Sequence, residues 1–196
     1  MAETRRDSLI SAAAALLDQG GPVAVTLRAV GHAAGVSHNA PYKHFADKDA
    51  LLAAVAGREL NRLPRPPVDG TDVQPPPTAK ALMIGYVRWA RRYPERFKLT
   101  FGRWTRENPE LAEAATQSRA SLIGAVIRGQ AEGDLPPGDP ERLTALLLAL
   151  AHGAADLALS GHLAADGKGR ADPEDLVEDL FVYLKAGASR GRRGAA

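Results

Sequence analysis

The sequence predicts an all-α protein in two parts, and three observations carry that expectation. Apolar residues recur at helical spacing along most of the chain, and no stretch alternates apolar with polar as a half-buried strand would. Glycine and proline interrupt the pattern at intervals that suit helices of ordinary length. The stretch "PRPPVDGTDVQPPP", residues 64–77, carries six prolines, which exclude helix interior and mark an extended linker or loop. The 196 residues divide accordingly into an N-terminal domain over 1–63, the linker at 64–77 and a C-terminal helical domain over 78–190. With 45% hydrophobic and 24% charged residues, both domains have material for a core. A formal charge of +2 is compatible with nucleic-acid binding without requiring it. The absence of cysteine removes disulfide frameworks and thiolate metal sites, and it fits a reducing, cytoplasmic setting.

Taken in order, the first helix should present Leu9, Ala13, Leu16 and Leu17 on one face and close at Gly20-Gly21-Pro22. Arg5-Arg6 ahead of this apolar run resembles a twin-arginine export signal, but Asp7 directly after the pair and the lack of a cleavage site favour a folded helix. A short helix follows from Thr26 to Ala34, then a second short one opening near Ser37, then a longer helix over 47–63 that Asp47 can cap. Beyond the linker, helices are expected near 78–93, 95–104, 109–132, 139–161 and 173–187, with "SRGRRGAA" as a frayed tail. The most apolar stretch, "LTALLLALAHGAADLALSG", is interrupted by His152 and Asp156 and reads as a buried helix, so no membrane partner is expected.

The residues from Thr26 to Phe45 meet the requirements of a helix-turn-helix. Thr26 can cap a helix whose apolar face is Leu27, Val30 and Ala34, and the small Gly31 permits a second helix to approach closely. Gly35 tolerates the left-handed geometry of the turn, Val36 plugs the angle between the helices, and Ser37 can cap the second one.

The stretch "TLRAVGHAAGVSHNAPYKHFADKDALLAAV" resembles the DNA-binding domain of the TetR family of transcriptional regulators. The matching features are the Thr-led helix, Ala-Gly-Val-Ser at the turn, Tyr-x-His-Phe closing the recognition helix, and Lys48 followed by Leu51-Leu52. His152-Gly153 after an apolar helix further resembles members whose C-terminal domain bears a Trp-Ala-x-x-His-Gly motif, although Leu148 stands at the tryptophan position. The resemblance implies a homodimeric, one-component regulator, a repressor released from a palindromic DNA operator by a small-molecule effector. It also implies that effector binding moves the helix over 47–63.

Pro41 requires its own account, because an interior proline costs a helix ~3 kcal/mol or more. If Ser37 caps the recognition helix, Pro41 ends its first turn and forfeits one hydrogen bond; if Asn39 caps it, nothing is lost. Either way His38, Asn39 and Ala40 should face outward at the end that enters a major groove. Asn39 can pair with adenine, His38 can donate to a guanine acceptor, and Ala40 can touch a thymine methyl. Thr26, Arg28, Ser37, Tyr42, Lys43, His44 and Lys48 suit phosphate contacts, which position the domain without reading sequence. Phe45 is expected in the core.

"YVRWARRYPERFKLTFGRW" holds six of the ten aromatic residues, and Trp89, Tyr93, Phe97 and Phe101 stand four apart, which makes one helical stripe with arginines on its flanks. Core, ligand pocket and single-stranded nucleic-acid platform are all readings of such a stripe. The pocket reading places Met83, Tyr86, Trp89, Phe101 and Trp104 around a hydrophobic effector, with His152 and Asp156 as polar contacts.

Enzyme signals are weak, and neither catalytic residues nor a cofactor is expected. "GHLAADGKGR" has one residue too many for a phosphate loop and Gly169 where a hydroxyl should meet magnesium. His152 and Asp156 lack a third ligand at suitable spacing, so no metal site is expected. Dimerisation is expected through the helices over 139–161 and 173–187, which carry more apolar surface than a small domain can bury. The alternative function is a small helical enzyme or hydrophobic-ligand carrier with a purely structural N-terminal domain.

Overall fold

The computed structural model describes residues 4–63 and 76–193; the linker expected at 64–77 lies almost wholly outside the described residues. It contains α1 (Arg5–Ala24), α2 (Leu27–Ala33), a 3-10 turn (Pro41–Lys43), α3 (Lys48–Arg62), α4 (Ala79–Arg92), α5 (Pro94–Thr100), α6 (Pro109–Glu132), α7 (Pro140–Leu159) and α8 (Pro173–Arg193). Among the described residues there is no strand. The helix starts follow a chemical rule readable in the chain. Asn108-Pro109, Asp139-Pro140 and Asp172-Pro173 each set a side-chain acceptor before a proline whose missing N–H is no loss in a first turn. Asn108 Oδ1 accepts from Leu111 N–H at 3.0 Å, Asp139 Oδ1 from Glu141 N–H at 2.8 Å and Asp172 Oδ1 from Glu174 N–H at 2.8 Å. At the N-terminus Thr4 and Asp7 form a reciprocal capping box, whose hydrogen bonds to Thr4 hold the Asp7 carboxyl below its usual range. The first helix loses its geometry where the sequence placed its stop, at Gly20 and at Gly21 with φ +65°. Helix α8 continues to Arg193, six residues past the end expected at 187, because "AGASRGRR" contains no proline and nothing else that forces a stop.

The chain divides into two compact units that do not follow the linker boundary. The first comprises residues 1–62 with 93–117, and the second 63–92 with 118–196. Its placement in the first unit sets α5 against α1 and α3. The core of this unit joins Leu9, Ile10, Ala13, Ala14 and Leu17 of α1 to Val25, Leu27, Val30, Phe45, Leu51, Leu52 and Val55. A second attachment is electrostatic. Arg96 of α5 donates to both carboxylate oxygens of Asp18, at 2.6 and 2.9 Å, and to Glu59 Oε1 at 3.3 Å. Glu59 is only 2% exposed and also has the guanidinium groups of Arg58 and Arg62 at 3.9 and 4.0 Å. Burial alone would lower the Arg96 guanidinium, but the hydrogen-bonded Asp18 and the charge of Glu59 outweigh it and hold Arg96 above its ordinary value.

In the second unit α4, α7 and α8 pack pairwise. Helix α4 buries Ala79, Leu82, Met83, Tyr86, Val87 and Ala90, one helical stripe, while α7 offers Leu143, Leu147, Ala151, Ala154 and Ala155. Helix α7 is long and apolar enough to cross a membrane by length and composition, and a third of its most apolar stretch is buried. Tyr86 is 3% exposed, and its hydroxyl lies 2.8 Å from His152 Nδ1 on α7. Burial pushes the Tyr86 phenol well above its usual value, so it stays neutral beside the imidazole. The glycine-rich stretch between α7 and α8 is a tight turn: Gly169 has φ +78°, and a Cβ there would meet the His162 carbonyl at 2.9 Å.

Two outcomes test these attachments. Replacing Arg96 by Met takes from the buried Glu59 its 3.3 Å charge-assisted hydrogen bond and from Asp18 its paired guanidinium, and should cost about 2–4 kcal/mol in urea unfolding, with Arg96→Met/Glu59→Gln together less costly than the single change. A phenol raised by burial favours the folded state below the unfolded tyrosine value. Stability should therefore decline as pH rises above about 10, and Tyr86→Phe should flatten that decline in unfolding curves taken from pH 8 to about 11.

Candidate nucleic-acid interface

The recognition segment is shorter and tighter than the sequence suggests. Instead of a regular α-helix from Ser37, a turn at 38–40 leads into a 3-10 turn over Pro41–Lys43 that has no side-chain cap. Its backbone bonds run from Ala40 N–H to the Ser37 carbonyl at 2.9 Å, from Lys43 N–H to Ala40 at 3.2 Å and from Phe45 N–H to Pro41 at 2.9 Å. Neither Ser37 nor Asn39 is the cap residue of that turn, and the Ser37 carbonyl begins the ladder.

Pro41 is buried rather than merely tolerated. A Cβ at Gly31 of α2 would lie 3.1 Å from Pro41 Cγ, so the small residue expected at position 31 makes room for the proline ring itself. Ala40 goes inward with it and is 7% exposed, which removes the expected thymine contact. Ala40 is the residue that leads into the turn, in right-handed helical geometry (φ −62°, ψ −42°). Ser37, His38, Asn39, Tyr42, Lys43 and His44 remain exposed, Tyr42 by 57%.

The flanking residues are fixed by ordinary caps. Thr26 Oγ1 accepts from Ala29 N–H at 3.1 Å, capping α2 and leaving Arg28 exposed in its first turn. Asp47 Oδ1 accepts from Ala50 N–H at 2.8 Å, which places Lys48 at the first residue of α3. All ten of the expected contact residues lie on the first unit, and Ala40 alone among them is buried.

Two further groups at this site escaped the sequence reading. Arg6 lies 5.2 Å above the Phe45 ring and pairs with Glu110 of α6 at 2.6 Å. Arg106 pairs with Asp47 at 3.0 Å, so the residue that caps α3 is also held from the segment before α6. The partners are 104 and 59 positions apart in sequence, and no periodicity relates them.

The expected effector residues fall into two sets. Met83, Tyr86, Trp89 and His152 lie together in the second unit, with Tyr86 and Trp89 ring centroids 6.1 Å apart. Asp156, by contrast, is exposed on α7. Phe101 and Trp104 belong to the first unit, where Phe101 meets Phe97 in a tilted arrangement with ring centroids 5.8 Å apart and Trp104 packs against the core. The second unit contains a cavity of about 560 Å³ lined by Ala79, Leu135, Phe181 and Val182 among others, and none of the seven candidates borders it.

The geometry can be set beside known proteins. Residues 9–55 match the model for bacterial regulatory proteins of the tetR family, and residues 79–183 match the tetracyclin repressor-like C-terminal domain. An uncharacterized HTH-type transcriptional regulator of Mycobacterium tuberculosis is 27% identical over 98% of this chain and 91% of its own length. A protein of unknown function from Rhodococcus sp. RHA1 is 30% identical, with a TM-score of 0.72 over 94% of this chain and 95% of that one. The regulator FadR from Bacillus subtilis, solved in complex with stearoyl-CoA, shares the fold at 16% identity with a TM-score of 0.60, covering 92% and 97% of the two chains. These matches do not favour the enzyme or carrier alternative. A chain that matches the family in both its reading segment and its C-terminal helices is a DNA-binding transcriptional regulator, and it belongs to the TetR family.

Proposed function

We propose that the protein is a homodimeric repressor, acting in the cytoplasm, that leaves a palindromic operator when a hydrophobic effector binds. The observation that carries this reading is the division of labour in the recognition segment. Ala40 and Pro41 face inward, while Ser37, His38, Asn39, Tyr42, Lys43 and His44 form an exposed polar set between the capped starts of α2 and α3. In this reading Asn39 and His38 read base edges, and Thr26, Arg28, Ser37, Tyr42, Lys43, His44 and Lys48 hold phosphates. Residues 1–63 serve as the reading domain and 78–190 as the domain for dimerisation and effector binding.

Dimerisation is proposed through α7 and α8. Leu146 and Leu157 of α7 are 67% and 47% exposed, and Val182 and Tyr183 of α8 are 64% and 71% exposed. Large apolar side chains so placed on two helices suit a four-helix interface with a second copy. The effector is proposed to contact Met83, Tyr86, Trp89 and His152, with the Tyr86–His152 pair as its polar reference. Release needs little coupling, since a 100-fold loss of operator affinity is only ~2.7 kcal/mol.

On DNA, a binding-site selection should enrich a partly palindromic duplex with half-sites about 34–36 Å apart, or a multiple of that spacing. Lys48→Ala should weaken binding to every sequence and reduce the salt dependence, whereas Asn39→Ala should relax preference at one position by ~1–3 kcal/mol. A selection that enriches nothing removes the operator reading.

For the dimer, Leu146→Asp combined with Tyr183→Asp should give a monomer by light scattering and lose tight binding to the palindrome. A wild-type monomer that binds the palindrome tightly contradicts this assembly. For the effector, hydrophobic compounds, long-chain acyl thioesters among them because of the FadR likeness, should change tryptophan fluorescence and release the operator at matching concentrations. Tight binders that leave DNA affinity unchanged count against the coupling.

A further inference from the structure

The first unit holds a cavity of its own, about 580 Å³, bordered by the start of α3, α5 and the segment 102–108. This is within the size range of small-molecule sites. Leu52, Leu99 and Trp104 give it an apolar wall. The charges around it do not cancel. Four carboxylates line it, and two are already engaged: Asp47 with Arg106 at 3.0 Å and Glu95 with Lys98 at 2.7 Å. Asp49 and Glu107 have no ion-pair partner among the described residues, and one remaining cation, Arg103, stands against the two of them. Trp104 adds an aromatic wall, and its indole Nε1 is buried without a hydrogen-bond partner.

From this arrangement we infer that the cavity is a second small-molecule site, distinct from the effector site proposed above, and that it takes a flat organic cation. The hydrocarbon body lies against Trp104, Leu99 and Leu52, and the cationic group faces Asp49 and Glu107. A cation is favoured over a neutral body of the same shape by the excess carboxylate and by the electron-rich ring face. An anion meets that same excess as repulsion. The site adjoins Asp47, the cap of α3, so its occupant sits one residue from the proposed phosphate contact Lys48.

The chain has two tryptophans, Trp89 and Trp104, so labelling the indoles with nitrogen-15 gives one side-chain signal from each unit, assigned with Trp89→Phe. The full-length protein is titrated with 1-naphthylmethylammonium, with the isosteric 1-naphthylmethanol and with 1-naphthoate. The ammonium compound should move the Trp104 signal and leave Trp89 in place. It should bind about tenfold more tightly than the alcohol, with the carboxylate weakest. Asp49→Asn/Glu107→Gln alters only exposed side chains and should erase the preference for the cation while the alcohol still binds. No response of Trp104, a response confined to Trp89, or equal affinity for ammonium and alcohol overturns the assignment. The effector reading for the second unit is judged separately, by compounds that act at Trp89 and release DNA, so either result can fail without the other.

Discussion

A carboxylate as buried as that of Glu59 persists only while a cation faces it, and in this protein the closest cation comes from far along the chain. Arg96 reaches Glu59 with one nitrogen and grips Asp18 with two others, tying α1, α3 and α5 together at a single guanidinium. The DNA-reading helices are therefore completed by a helix from beyond the proline-rich stretch. Apolar packing of Leu99 and Trp104 against the same core reinforces the attachment. Whatever displaces α5 must either carry α1 and α3 with it or leave Glu59 without its nearest counter-charge, and the second course costs kilocalories.

Within the reading unit the energies fall in a clear order. The caps at Thr26 and Asp47 each contribute about 1 kcal/mol, and the exposed pairs Arg6–Glu110 and Arg106–Asp47 less. Burial of Phe45, Ala40 and Pro41 outweighs them and fixes where the recognition segment lies. A three-residue 3-10 turn has little cooperativity of its own, so its shape is borrowed from α2 beneath it. The polar side chains it displays inherit their position from that contact.

Local chemistry explains what was legible in the chain. Helix starts marked by Thr26, Asp47 and the Asn/Asp-Pro pairs, the stop at Gly20-Gly21 and the apolar stripe of α4 all express themselves within a few residues, and the structure matches them. The reading failed where distant groups decide. Arg96, Glu59 and Asp18 look like solvated charges on separate helices, and only tertiary packing reveals one network. Ala40 looked outward because a helix was assumed where the proline ring draws the chain into a tighter turn. The break between α4 and α5 at Pro94 is legible in the sequence, but nothing in the aromatic stripe from Tyr86 to Trp104 shows that its two halves serve different units. Sequence spacing cannot see that division.

The seat of Pro41 on Gly31 separates two tasks that recognition helices usually combine. In a regular helix the residues that read bases also supply the helix's own hydrogen bonds and propensity, so a change of specificity perturbs folding. Here the inward pair holds the backbone, while the side chains of His38 and Asn39 stay exposed. On the proposed assignment of base reading to those two residues, their side chains are open to exchange while positions 31, 40 and 41 keep the scaffold unchanged.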